Sequence, residues 1–128
     1  MRWAFKDGSA GDRAYAARVL DVLEETGAIV PLIWSLEVAN ILARAERIAS
    51  FPRDLSDEFI KTLHGLNIRS DDSTYTQSLA DTLELARKFR LSAYDASYLE
   101  LAIRLRIPIA TLDENLQKAA KKAGVKKM

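Results

Sequence analysis

Apolar positions recur at helical spacing through most of this chain, and short wholly apolar runs separate the helical stretches. In "GDRAYAARVLDVLEETG", Ala16, Val19, Leu20 and Leu23 fall on one helical face, and Gly27 ends the pattern. "AIVP" then reads as a short buried strand stopped by Pro31, and "IWSLEVANILARAERIAS" as a strong helix. After Pro52, "LSDEFIKTLHGL" is predicted as a helix and "NIR" as a strand. "STYTQSLADTLELARKFR" is predicted as one long amphipathic helix. "AYDASYLELAIRLR", "IPIAT", "DENLQKAAKKAG" and "VKK" complete the chain as helix, strand, helix and short strand.

Helices alternating with short, fully apolar strands predict an α/β domain. Its sheet is expected to be parallel, with helices on both faces. Residues 1–128 are expected to form a single domain, since no repeat, low-complexity tract or linker interrupts them.

Composition narrows the chemistry. The 128 residues are 48% hydrophobic and 29% charged, as in an ordinary globular protein. No apolar run has transmembrane length, and "MRWAFKDGSAGDR" lacks the layout of a signal peptide, so a cytoplasmic location without membrane contact is expected. The absence of cysteine removes disulfides, thiolate metal sites and thiol nucleophiles. The single histidine, His64 in "KTLHGL", lies where a helix ends before Gly65 and reads as a capping or surface residue. Acid, base or metal chemistry therefore falls to Asp and Glu. A net charge of +1 gives no global basic field, although "LQKAAKKAGVKKM" carries five lysines and no acid. That tail is either a solvated helix face or a weak phosphate-attracting patch.

Three carboxylates draw attention. Asp95 lies at the mouth of an otherwise apolar helix, and Asp113 follows Thr111 at the end of "IPIAT". Ligands of parallel α/β sheets collect beyond the carboxyl ends of the strands, where Asp113 stands. Helix capping is the competing reading, because Ser92 with Asp95 and Thr111 with Glu114 have capping-box spacing. Glu37 belongs to a polar stripe with Asn40, Arg44 and Arg47, yet its turn is crowded by Leu32, Ile33, Trp34, Leu36 and Val38. It reads either as a solvent-facing residue or as the border of a cleft. Should the three acids converge, two unit charges 4 Å apart repel by about 4 kcal/mol at an effective dielectric near 20. A proton or cation must then neutralise them, and oxygen ligands without His or Cys suit Mg²⁺ or Mn²⁺.

"VPLIWSLEVANILARAERI" and "AYDASYLELAIRLRIPIATLDENLQKAAKKAGV" resemble the PIN-domain family, most nearly the VapC-type toxins of prokaryotic toxin–antitoxin pairs. The resemblance implies a compact, doubly wound, three-layer fold and an Mg²⁺- or Mn²⁺-dependent endoribonuclease using four acids. Glu37 matches the acid of "LEVAN", Asp95 that of "YDA" and Asp113 that of "ATLD", all three as catalytic metal ligands. Thr111 matches a neighbouring polar position that orients the last acid. RNA as substrate, a VapB-like antitoxin and a homodimer are the partners it implies.

One departure stands out. Family members open with a strand ending in an aspartate, whereas "MRWAFKDG" resembles the region after that motif. The first strand, central in the family's sheet, and the first acid are therefore expected to be missing. Asp7 and Asp12 read as loop or helix-start residues. Three explanations stay open: a start internal to a longer chain, a truncated and impaired relative, or a strand added by a partner or second copy. The alternative function is a catalytically silent PIN-like module that binds RNA or protein, and the plainest is a structural domain with capped helices.

Overall fold

The computed structural model describes Arg18 and residues 21–127. Asp7, Asp12 and the "MRWAFKDG" stretch lie outside the described residues. Helix α1 (residues 21–26) leads into β1 (Ala28–Val30), followed by α2 (Trp34–Ile48) and α3 (Arg53–His64). Then come β2 (Ile68–Ser70), α4 (Thr74–Ser78), α5 (Asp81–Phe89), α6 (Ala93–Leu105) and α7 (Glu114–Lys122). β1 and β2 pair in parallel, with Ala28, Ile29 and Val30 opposite Ile68, Arg69 and Ser70.

Gly27 makes the turn from α1 into β1. Its φ of +73° and the bond from its N–H to Leu23 O close the helix in the left-handed conformation glycine adopts most cheaply. A Cβ there would lie 2.5 Å from Asn67 O, the carbonyl that accepts the N–H of Ala28 and starts the ladder.

Helix α6 is the centre of the molecule. Residues 96–102 are all buried, as expected of a helix that is apolar almost all round. It packs against α4, α5 and α7. Tyr98, Leu99 and Ala102 of α6 form one core with Ile109 and with Leu116, Ala119 and Ala120 of α7, and Leu85 and Phe89 of α5 pack against it. A second core joins Leu23, Leu63 and Ala110, with Val38, Phe59 and Leu112 packed on it. Consecutive residues Ile109 and Ala110 thus face different cores, as alternate residues of an extended segment between two helical layers must. Trp34 packs against both cores.

Two elements differ from the sequence expectation. The stretch 73–90 is broken into α4 and α5, with Ala80 outside helical conformation at φ −121° and ψ −111°. Thr74, Tyr75, Thr76 and Ser78 are weak helix formers, and their hydroxyls compete for the backbone: Ser78 donates to Tyr75 O and Thr74 to Asp71 O. "IPIAT" and "VKK" do not form a ladder; they meet in one parallel bridge, Ile109 to Lys127. On the other edge of residues 107–110, an apolar groove of about 510 Å³ separates them from β1, walled by Val22 and Leu23 of α1 and by Tyr98, Leu101 and Ala102 of α6. Among the described residues β1 has β2 as its strand partner and nothing bridges the groove. No helix among these residues is long and apolar enough to cross a membrane.

Candidate functional site

β1 ends at Val30, Pro31 halts it, and α2 begins three residues further on, which puts Glu37 in the first turn at the carboxyl edge of the sheet. The amphipathic pattern of α2 is as expected, with Asn40, Arg44 and Arg47 exposed and Leu42 buried. Glu37 departs from its stripe: it is half-buried, and its Oε1 accepts a short hydrogen bond from the hydroxyl of Tyr98 on α6. The cleft-border reading therefore describes Glu37 better than the solvent-facing one.

Asp95 reaches the same place from the other side. Ser92 caps α6, its Oγ accepting the N–H of Asp95 at 3.0 Å, so Asp95 is the residue whose backbone is capped rather than the cap itself. It stands one turn before Tyr98 on the same helical face. Burial, then the hydrogen bond to Glu37, then the charges of Glu37 and Asp95 push the Tyr98 phenol far above its ordinary range. Both carboxylates thus act on one buried phenol, which stays protonated and donates.

This has a consequence for stability at high pH. The folded state binds the phenolic proton more tightly than the unfolded chain, so this contribution is intact below about pH 10 and declines as pH rises beyond it. The decline is at most about 1.4 kcal/mol per pH unit. Urea titrations in EDTA between pH 9 and 11 should show this loss in the native chain and a smaller one in Tyr98→Phe. Equal slopes for the two proteins would dismiss the link.

Asp113 sits at the end of the extended segment and caps α7. Its Oδ1 accepts the N–H of Leu116 at 2.9 Å, and its own N–H donates to Thr111 Oγ1 at 3.1 Å. The cap is therefore Asp113, not Thr111 as the T-x-x-E spacing suggests. Thr111 is 1% exposed and holds the backbone of Asp113 rather than its carboxylate, while Gln117 Nε2 donates to Thr111 O. Glu37 and Asp95 are brought together on Tyr98, and Asp113 is engaged in its cap. Among the described residues no group of three or more His, Asp or Glu side chains comes close enough to hold a metal. The donor set still suits a hard cation, because Mg²⁺ typically takes one or two carboxylates and completes its shell with water and phosphate. His64 ends α3 on the surface, as expected.

Sequence reasoning missed two features. One is Tyr98 itself, which reads as core in an apolar helix. The other is a buried ion triad. Arg104 of α6 bonds Glu100 one turn earlier at 2.7 Å and Asp71, just past β2, at 2.5 Å. Asp71 and Glu100 are 5% and 4% exposed. The hydrogen bonds that Arg104 donates to Glu100 and then to Asp71 hold the guanidinium in its charged form. The i,i+4 spacing of Glu100 and Arg104 was a usable signal; nothing in "DDSTY" marked Asp71 as their partner.

The structure is thus a parallel α/β domain that brings two carboxylates, Glu37 and Asp95, onto one phenol beyond the end of β1. The chain belongs to the PIN domain family, whose sequence model matches residues 4–122. PIN domains are generally metal-dependent nucleases. No curated protein matches this chain.

Proposed function

We propose that this chain is a metal-dependent endoribonuclease of the VapC toxin type, with Glu37, Asp95 and Asp113 holding Mg²⁺ or Mn²⁺ at a phosphodiester of RNA. The observation that carries the reading is the meeting of Glu37 and Asp95 on one buried phenol at the carboxyl edge of a parallel sheet. When bound, such an ion lowers the pKa of its water and neutralises charge building on the phosphate. Glu37 and Asp95 contribute hard oxygens, and Asp113, with its backbone pinned by Thr111, contributes the third. Asp95 and Asp113 lie at the starts of α6 and α7. Exposed Lys118, Lys121 and Lys122 on α7 suit RNA phosphates.

The partners belonging to this reading are a VapB-like antitoxin and a second copy of the chain, in the cytoplasm. Exposed Leu32, Leu36, Tyr75 and Leu79 support a partner, and the bond from Leu32 N to Thr74 Oγ1 brings the starts of α2 and α4 together. The second reading, a catalytically silent module that binds RNA or protein, draws on the lack of a three-acid group among the described residues.

The deciding experiment incubates the chain with labelled RNA and Mn²⁺, beside Asp95→Asn. Cleavage is expected to fall on the order of 100-fold or more in the variant, the scale of losing one charge-stabilising group. Mn²⁺ titration calorimetry should likewise show micromolar binding that Asp113→Asn removes, since Asn caps a helix as well as Asp and only the charge is lost. Undiminished cleavage by Asp95→Asn would end the enzyme reading. Binding of RNA without cleavage by either protein would favour the silent module.

A further inference from the structure

Among the described residues, Tyr98 supplies the side-chain hydrogen bond that Glu37 receives, and it crosses from α6 to α2 over 61 positions of sequence. A glutamate side chain has several rotatable bonds, and fixing it costs rotamer entropy. The exposed start of α2 does little to hold it: Leu36, its neighbour, is 66% exposed, and Ile33 caps the helix without a side-chain bond. Tyr98 is held far more firmly. Its ring is packed in the α6–α7 core with Leu99, Ile109 and Leu116, and it also forms part of the groove wall.

We propose that Tyr98 is a positioning residue: its hydroxyl anchors one oxygen of Glu37, presenting the other beside Asp95 for a divalent cation. This rests on the metal-centre reading above. The chemistry suits the task. The phenolic hydroxyl donates one hydrogen bond across the gap between α6 and α2, which fixes one carboxylate oxygen of Glu37 in place. It also leaves one carboxylate oxygen to the ion, which a bidentate guanidinium would not. Partners that orient metal ligands in this way typically matter by 10–100-fold in metal affinity.

The test measures Mn²⁺ affinity by calorimetry for the native chain, Tyr98→Phe, Glu37→Gln and the double variant. Phenylalanine keeps the ring in the core and the groove wall and removes only the hydroxyl, and thermal melts verify folding. Tyr98→Phe is expected to bind Mn²⁺ about 10-fold or more weakly. In the Glu37→Gln background the same change is expected to have no further effect, because Tyr98 acts through Glu37. Native-like affinity in Tyr98→Phe would overturn the proposal while leaving the metal centre standing. An equal loss in both backgrounds would overturn it too, marking a general packing effect. Failure of the native chain to bind Mn²⁺ would remove the metal centre, and this inference with it.

Discussion

Replacing Arg104 by methionine is expected to cost about 3 kcal/mol of folding free energy, the lower end of the range for breaking a buried ion pair. The size follows from what is left behind. The side chains of Asp71 and Glu100 are 7% and 5% exposed, and the guanidinium neutralises both through forked hydrogen bonds. Methionine fills much the same volume but leaves two carboxylates desolvated and facing each other. The lower end applies because the Arg104 side chain keeps 26% exposure, so water reaches part of the site. Asp71 also accepts the N–H of Ser73 and the hydroxyl of Thr74, which limits how far it can turn away. The triple variant Asp71→Asn, Glu100→Gln, Arg104→Met should cost less than the single change, because no unpaired charge remains. Urea denaturation reads both, as a shift in midpoint at unchanged slope. A shift worth under about 1 kcal/mol for the single variant would mean that the acids recover their solvation, and that the triad does not clamp β2 to α6.

What the sequence revealed, and what it hid, follows from the range of each interaction. Elements set by local pattern were legible: the Gly27 stop, the strand halted by Pro31 and the apolar α6 all fall where expected. The parallel pairing of β1 and β2 was legible too, since short apolar strands between helices leave little else. The helix break at Ala80 was not, because no glycine or proline marks it and hydroxyl–backbone competition is invisible in hydrophobic periodicity. At the site, the residue types and the carboxyl-edge position of Asp113 were readable. Their partners were not. Tyr98 and Glu37 are 61 residues apart, and Arg104 and Asp71 33 apart, so only the packing of α6 against its neighbours brings them together. Thr111 shows an intermediate case. Its proximity to Asp113 was evident, but whether it served the backbone or the carboxylate depended on the turn.

The groove beside β1 makes a measurable difference between two leucines on the same helix. Leu99 is 0% exposed and lies within the α6–α7 core, so Leu99→Ala removes contacts on all sides and leaves a cavity. Its expected cost is about 3–4 kcal/mol, within the range for such truncations. Leu101 is almost as buried, at 3% exposure, but it walls the groove. Beside a groove of about 510 Å³ fewer atoms face its methyls, and the space left by truncation only enlarges an opening already there. Leu101→Ala should therefore cost about 2 kcal/mol, close to the transfer term alone. Urea midpoints of the two variants in the full chain give the comparison. Equal costs would mean that Leu101 packs against something seated between β1 and residues 107–110. Added strand-forming peptide would then leave Leu101→Ala unaffected, whereas an accessible groove lets the peptide raise the stability of the native chain by mass action.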